Sequence, residues 1–258
     1  MSLILDPWFY LVAIPGVLIV GIGKGGFVGG VGALAVPLMA ITISPVQAAS
    51  IMLPILCVMD ITGLRAWIST WNTALMMHLL PGALLGILVG YLTFEYVSES
   101  ALKILLGTVA ILFTINHWSK RWRKIKPEKS VSALGDHLQG GFWSMLSGFT
   151  SFLAHAGAPP LMMYLLPKNL DKRMLVGTAT IYFGIVNYVK LVPYAALGLL
   201  DAKNLGTSLV LAPVAVAGVK LGIWLHNKVD QVTFFRLMYL MLFAAGVKLM
   251  WDGLSATL

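Results

Sequence analysis

The chain has 258 residues, of which 59% are hydrophobic and only 11% are charged, and its formal net charge is +8. A soluble domain carries about 25% charged residues, so this composition excludes a water-soluble globular protein and predicts a polytopic membrane protein. Many of the basic residues lie between Lys120 and Lys129, which is typical of a cytoplasmic loop and not of a nucleic-acid surface. Cys57 is the only cysteine, which excludes an internal disulfide and a zinc site made of several thiolates. No basic region precedes the first apolar stretch, so a cleaved signal peptide is not expected.

Two short stretches interrupt the apolar segments. Residues 21–32 read GIGKGGFVGGVG, and residues 155–160 read HAGAPP. Glycine and proline weaken a helix, and backbone freed inside a bilayer must be buried in protein or line a cavity. We therefore predict two helix breaks that face each other. Ten apolar segments result, five in each half: A 8–22, B 27–43, C 45–67, D 74–94, E 101–118, A′ 138–154, B′ 159–166, C′ 174–197, D′ 205–226 and E′ 233–251.

The two halves of the chain repeat each other. The spacing of one proline and two glycines is the same in D and D′: Pro81, Gly86, Gly90 and Pro213, Gly218, Gly222. We divide the chain into a first transmembrane repeat (1–118), a basic cytoplasmic linker (119–137) and a second transmembrane repeat (138–258). Five segments per repeat is an odd number, so the halves are inverted. We predict an all-α polytopic membrane protein with broken or re-entrant glycine-rich helices near the midplane, an architecture typical of secondary transporters.

The basic residues also predict the orientation. With the linker inside, the C–D loop with Arg65 and the B′–C′ loop with Lys168 lie inside as well, whereas Glu95 and Glu99 lie outside. This distribution follows the positive-inside rule. We expect a multi-pass protein of the bacterial plasma membrane.

Four stretches resemble the sulfite exporter TauE/SafE family of membrane proteins. They are GIGKGGFVGGVGALAVP at 21–37, SGFTSFLAHAGAPPLMMYLLP at 147–167, the segment 177–183, and the pattern Asn187-x-x-Lys190-x-x-Pro193-Tyr194. The resemblance covers nearly the whole chain and implies export of sulfite or an organosulfonate. One residue departs from it: Lys24 interrupts a run that in the family often consists of glycines without a charge.

Lys24 is the sharpest candidate for anion binding. A cation inside a glycine break at membrane depth suits an anionic substrate, and the amides at the start of B add a positive dipole. Gly25, Gly26 and Gly30 belong to the same substrate-binding break. The alternative is that Lys24 lies near the cytoplasmic interface and snorkels to water.

His155 opens the second break, together with Ala156 and Gly157. An imidazole titrates near neutral pH, so His155 is a candidate anion donor or proton relay. Alternatively, it bonds to the carbonyls that the break sets free. Asn187 and Lys190 lie three residues apart on one face of C′ and together suit the oxygens of a sulfonate or carboxylate. The alternative for Lys190 is snorkelling to the outer surface.

Asp60 lies in the apolar run of C and is a candidate proton-coupling carboxylate. Alternatively, it forms a structural ion pair with a lysine, or it lies at the interface near Arg65. Ser50 and Thr178 occupy matched positions in C and C′. Their hydroxyls either line the cavity or bond to carbonyls one turn back.

These features predict a secondary transporter, an exporter of a small anion such as sulfite or an organosulfonate. It would work by alternating access around the two breaks, with a proton coupled through Asp60 or His155. No metal or cofactor is expected; the partners are the anion and the lipid bilayer, and the chain would be a monomer or a homodimer. The alternative is an anion channel that uses the same cavity.

Two other classes fit the sequence poorly. An intramembrane enzyme is disfavoured because no Ser/His/Asp set, paired aspartates or metal triad stands at useful spacing. The G-x-G-x-x-G pattern at 21–26 lacks the acidic residue that a dinucleotide site needs about 20 residues later.

Overall fold

The computed structural model describes residues 3–27, 35–96, 98–122, 133–165, 168, 170–226, 228 and 231–255. Within these ranges the chain is all α, with no strand, as predicted. Its helices are α1 (Pro7–Gly26), α2 (Ala35–Met39), α3 (Pro45–Trp67), α4 (Thr73–Thr93), α5 (Glu99–Trp122), α6 (Ala133–Ala154), α7 (Ala158–Leu165), α8 (Lys172–Ala196), α9 (Ala202–His226) and α10 (Gln231–Ser255). They follow the ten predicted segments in order. Five of the described helices are long and apolar enough to cross a bilayer: α1, α3, α4, α8 and α9.

Side-chain caps fix where several of these helices begin. Asp6 accepts a hydrogen bond from the Trp8 amide at the start of α1, and Ser44 accepts one from Gln47 at the start of α3. Both helices carry a proline in their first turn, where its missing N–H costs nothing. Asn72 caps α4 in the same way.

The first glycine-rich stretch differs from the prediction, because α1 continues through Gly21 and ends at Gly26. A Cβ atom on Gly21 would lie 2.9 Å from the Gly218 Cα of α9, and one on Gly25 would lie 2.8 Å from the Gly222 Cα. The glycines thus let two helices approach closely, as small residues do in membranes. This packing outweighs a helix propensity that is poorer by about 1 kcal/mol per glycine. Gly30 lies outside the described residues.

Helices α4 and α6 form a second pair that approaches closely at glycines. On α4, Gly86 lies against the Met145 carbonyl of α6, and a Cβ on Gly90 would lie 2.9 Å from the Phe152 ring. Gly148 of α6 faces the Ala83 carbonyl in return. In both pairs the contacts advance in step along the two sequences, so α1 runs parallel to α9 and α4 runs parallel to α6.

Contacts between helix ends define one end of the molecule, here called the basic end. It contains the C-termini of α1, α3 and α9 and the N-termini of α4, α6 and α8. Trp67 Nε1 donates to the Gly25 carbonyl, His226 Nδ1 lies 2.7 Å from the Gly26 carbonyl, and the Asn72 amide donates to Thr178 Oγ1. Arg65, Lys168, Arg173 and Lys228 belong to this end. Both neighbouring helices extend into the predicted linker 119–137: α5 continues to Trp122, and α6 begins at Ala133. Residues 123–132 lie outside the described residues.

Candidate functional site

A buried carboxylate joins α1 to α8 through α3. Lys24, in the last turn of α1, forms an ion pair with Asp60 of α3. The other Asp60 oxygen accepts a hydrogen bond of 2.7 Å from Asn187 Nδ2 of α8. The Asp60 side chain is only 4% exposed and that of Lys24 is 17% exposed. Both oxygens of this carboxylate are therefore held by donors from different helices.

Lys190, one turn beyond Asn187 on α8, forms a second buried cluster. It is 0% exposed. Its Nζ donates to the carbonyl and to the hydroxyl of Ser151, at 2.9 Å each, and lies 2.8 Å from His155 Nδ1. His155 Nε2 in turn lies 2.8 Å from the carbonyl oxygen of Ala49 on α3.

The hydrogen bonds of His155 fix its tautomer. A carbonyl oxygen only accepts, so Nε2 carries the proton that points at Ala49. Nδ1 is then an acceptor, and the three donors of the Lys190 ammonium meet three acceptors. All three acceptors are neutral. A buried charge is costly unless an opposite charge compensates it, so the cluster is electrostatically suited to take up an anion.

The second break places His155 by means of a strained backbone. His155 has φ of 53°, the only positive φ of a non-glycine residue in the described part of the chain. Such left-handed conformations cost about 1–3 kcal/mol and concentrate at functional sites. The Ala156 carbonyl accepts from Thr150 Oγ1 at 3.1 Å, and the Gly157 carbonyl accepts from Ser147 Oγ at 2.7 Å. The freed backbone of the break is thereby bonded to α6.

The two clusters lie next to each other on α8, where Asn187 and Lys190 stand three residues apart, and together they are called the path here. The path runs from Lys24 through Asp60 and Asn187 to Lys190, and on through His155 to Ala49. Lys24 lies in the last turn of α1, and His155 opens the second break. The path therefore joins the two predicted breaks through α3 and α8. It is closed to solvent at Lys190. A surface groove of about 510 Å³ along α9, lined by Leu209, Pro213 and Lys220 among others, lies elsewhere.

Five of the predicted site residues are thus brought together: Lys24, Asp60, His155, Asn187 and Lys190. Gly25 and Gly26 lie beside Lys24, but their carbonyls meet Trp67 and His226. Ala156 and Gly157 lie beside His155 and use their carbonyls within the break.

Ser50 and Thr178 are not part of the path. Ser50 Oγ donates to the Val46 carbonyl one turn back, at 2.8 Å. Thr178 Oγ1 accepts from the Asn72 amide at 2.9 Å. Because α3 ends at the basic end and α8 begins there, these two matched positions lie at opposite ends of the molecule.

Sequence reasoning missed Ser151 and the Ala49 carbonyl. Ser151 precedes His155 by four residues, a spacing that places two residues on one helix face, and this signal was present in the sequence. No sequence signal identifies which carbonyl a histidine will reach. Among the described residues there is no group of three or more His, Cys, Asp or Glu side chains that could hold a metal ion.

Comparison with known proteins agrees with this architecture. The family model described as "Sulfite exporter TauE/SafE" matches residues 13–249, nearly the whole chain. No curated protein and no solved structure matches the chain. Because the match extends from within α1 to the last turns of α10 and includes both clusters, the chain belongs to the sulfite exporter TauE/SafE family of membrane transporters.

Proposed function

We propose that this chain is a secondary transporter that exports a small sulfur oxyanion, sulfite or an organosulfonate, across the bacterial plasma membrane. Membership in the family supports the transport of such an anion. The observation that carries the residue assignment is the fully buried Lys190, all of whose hydrogen-bond partners are neutral.

The anion would bind between Lys24 and Lys190, with further donors from Asn187 and Ser151. Charged donors make short and strong hydrogen bonds to oxyanions. Asn187 Nδ2 and the Ser151 hydroxyl add neutral donors at the next positions along the path. Lys190 has no contact with solvent, so this arrangement corresponds to a closed state that must open to admit the anion.

Alternating access around the two breaks is the proposed mechanism. It requires two structurally equivalent halves that exchange roles, as in other transporters with inverted repeats. The packing of the helices supports this requirement. In one pair α1, which is segment A of the first half, packs on α9, which is segment D′ of the second. In the other pair α4, which is segment D, packs on α6, which is segment A′. The opposite directions of α1 and α6 support the inversion.

The basic end is proposed to face the cytoplasm, with the linker on the same side. Arg65, Arg173 and Lys228 lie at this end, as the positive-inside rule requires. A proton is proposed to accompany transport through Asp60 or His155, the two titratable groups that hold the lysines of the path.

Counterflow in proteoliposomes tests this function. Vesicles loaded with unlabelled sulfite are expected to accumulate labelled sulfite with saturable kinetics. Lys190→Met is expected to slow this exchange by about 100-fold, since each hydrogen bond to a charged group contributes about 1.5–3 kcal/mol.

Lys248→Met is the matched control, because Lys248 of α10 is an exposed lysine paired with Asp252. It is expected to exchange at the wild-type rate. Unitary anion currents without counterflow would identify a channel, and an unchanged rate in Lys190→Met would remove Lys190 from the site.

A further inference from the structure

We propose that the carboxylate of Asp60 occupies the place of the transported anion, so that the anion binds to Lys24 and Asn187 only after Asp60 has been protonated and released. This inference rests on the proposed function and names the group that controls the same site. Asp60 then acts as a competitor that is built into the chain, and a proton removes it.

The contacts of Asp60 are those that an oxyanion would make. One oxygen is paired with the Lys24 ammonium of α1, and the other accepts from Asn187 Nδ2 of α8. Two oxygens of a sulfonate present similar acceptors to the same two donors. Because Asp60 is 5% exposed and Asn187 is 2% exposed, little water is present to share these donors. One negative group therefore excludes the other.

A second lysine–aspartate pair differs from Lys24–Asp60 in its exposure to solvent. Lys168 and Asp136 are also ion-paired, but their side chains are 27% and 30% exposed, and Tyr164 donates to the same carboxylate. That pair lies near the basic end and can exchange with water. The Lys24–Asp60 pair is linked instead to a second buried lysine, since Asn187 and Lys190 occupy adjacent turns of α8.

Several titratable groups face Asp60 from the helices around it. Lys24 lies on α1 and is paired with Asp60, and Lys190 lies on α8. Cys57 on α3 and Tyr188 on α8 are near enough to interact with its charge, but thiols and phenols are ordinarily mostly neutral over the range from pH 5.5 to 8. His155 contacts Lys190 from the second break. From α9, Val219 packs near Gly63, one turn from Asp60. Asp60 is therefore the carboxylate whose protonation frees donors of this path.

Proton and anion binding are consequently linked. Lower pH favours protonated Asp60, which releases Lys24 and Asn187 and strengthens anion binding. By thermodynamic reciprocity, a bound anion raises the affinity of Asp60 for a proton. The two ligands therefore bind together.

Calorimetric titration of the purified full chain with methanesulfonate tests this inference. Methanesulfonate keeps one negative charge at every pH used, so any pH dependence belongs to the protein. In the wild type the affinity is expected to rise as pH falls from 8 to 5.5, by up to about tenfold per unit for one linked proton. Asp60→Asn is expected to bind about 10- to 100-fold more tightly at pH 8, with an affinity that no longer depends on pH, because the charged competitor is gone.

Asp136→Asn is the matched control, since it neutralises the carboxylate of the other lysine pair, and it is expected to keep the wild-type pH profile. The inference is overturned if folded Asp60→Asn binds no more tightly than the wild type at pH 8, or if its affinity still varies with pH. Absence of anion binding in every variant and at every pH would instead contradict the proposed function.

A measurement on the wild type alone covers the case in which Asp60→Asn does not fold. Titrations in buffers of different ionisation enthalpy count the protons taken up with the anion. Near pH 7.5 we expect an uptake approaching one proton per methanesulfonate bound. Binding without proton uptake would overturn the inference.

Discussion

Replacing Lys190 by methionine separates a binding role from a structural one. Methionine has a similar length and no charge, so it preserves packing against α6. The ammonium makes three hydrogen bonds, worth roughly 1.5–3 kcal/mol each for a charged donor. Burying the ammonium costs several kcal/mol even after the protein relaxes, and this penalty opposes the gain from the hydrogen bonds.

The two contributions are of the same size, so they nearly cancel. After the substitution His155 Nδ1 loses its donor, which costs about 1–3 kcal/mol, whereas the Ser151 hydroxyl can turn to a carbonyl of its own helix. We expect the free energy of unfolding to change by no more than about 2 kcal/mol, while sulfite exchange falls by about 100-fold. In a chain of this size that corresponds to a change in Tm within about 8 °C.

Thermal unfolding of the purified variant in detergent, measured beside counterflow in proteoliposomes, checks this expectation. A fall in Tm well beyond 8 °C, with exchange reduced only in proportion to the folded fraction, would refute the reasoning. Lys190 would then be a structural cation, held for the hydrogen bonds it makes and not for an anion.

Two further substitutions test the packing and the assignment of hydroxyls. Gly25→Val should prevent the close approach of α1 to α9 and sharply lower the yield of folded protein in detergent, because a Cβ there would lie 2.8 Å from Gly222 Cα. Gly141→Ala is the control, because a Cβ at Gly141 meets nothing within 4 Å, and it should fold like the wild type in the same assay. Ser151→Ala should weaken anion binding by about tenfold in titration calorimetry, since it removes the hydroxyl that accepts from Lys190 Nζ and whose own proton would be donated to the anion. Ser50→Ala should leave binding unchanged because the Ser50 hydroxyl donates to the Val46 carbonyl. Equal effects of the two substitutions would contradict the assignment.

The ten α-helices in the described part of the chain were predictable because a bilayer permits few backbone conformations. Every peptide group in lipid must be bonded internally, so long apolar runs bounded by proline, serine or asparagine become helices with those residues as caps. The extent of α1 was harder to predict. Glycine lowers helix propensity, and only the position of Gly218 and Gly222 on a distant helix shows why α1 does not break at Gly21.

The candidate site was predictable in part. Ionisable residues inside apolar segments identify Lys24, Asp60 and Lys190, since such residues are costly in lipid. Their partners depend on how helices distant in sequence are aligned, which the sequence alone does not define. The sequence match between Ser50 and Thr178 does not bring the two residues together, because equivalent positions near the N-termini of α3 and α8 lie far apart: these helices start at opposite ends.

The parallel pairing of α1 with α9 also constrains how the protein is made. The glycine face of α1 is synthesised long before its partner α9, because His226 and Gly26, which meet at the end of that pair, are 200 positions apart. Similarly, α4 of the first half pairs with α6 of the second. Neither half can bury these glycine faces by itself, so the face of α1 stays exposed to lipid until α9 has been synthesised and inserted. Quality control that removes the protein is therefore expected to act on late truncations such as those lacking α9, which leave α4 packed on α6 but α1 without its partner.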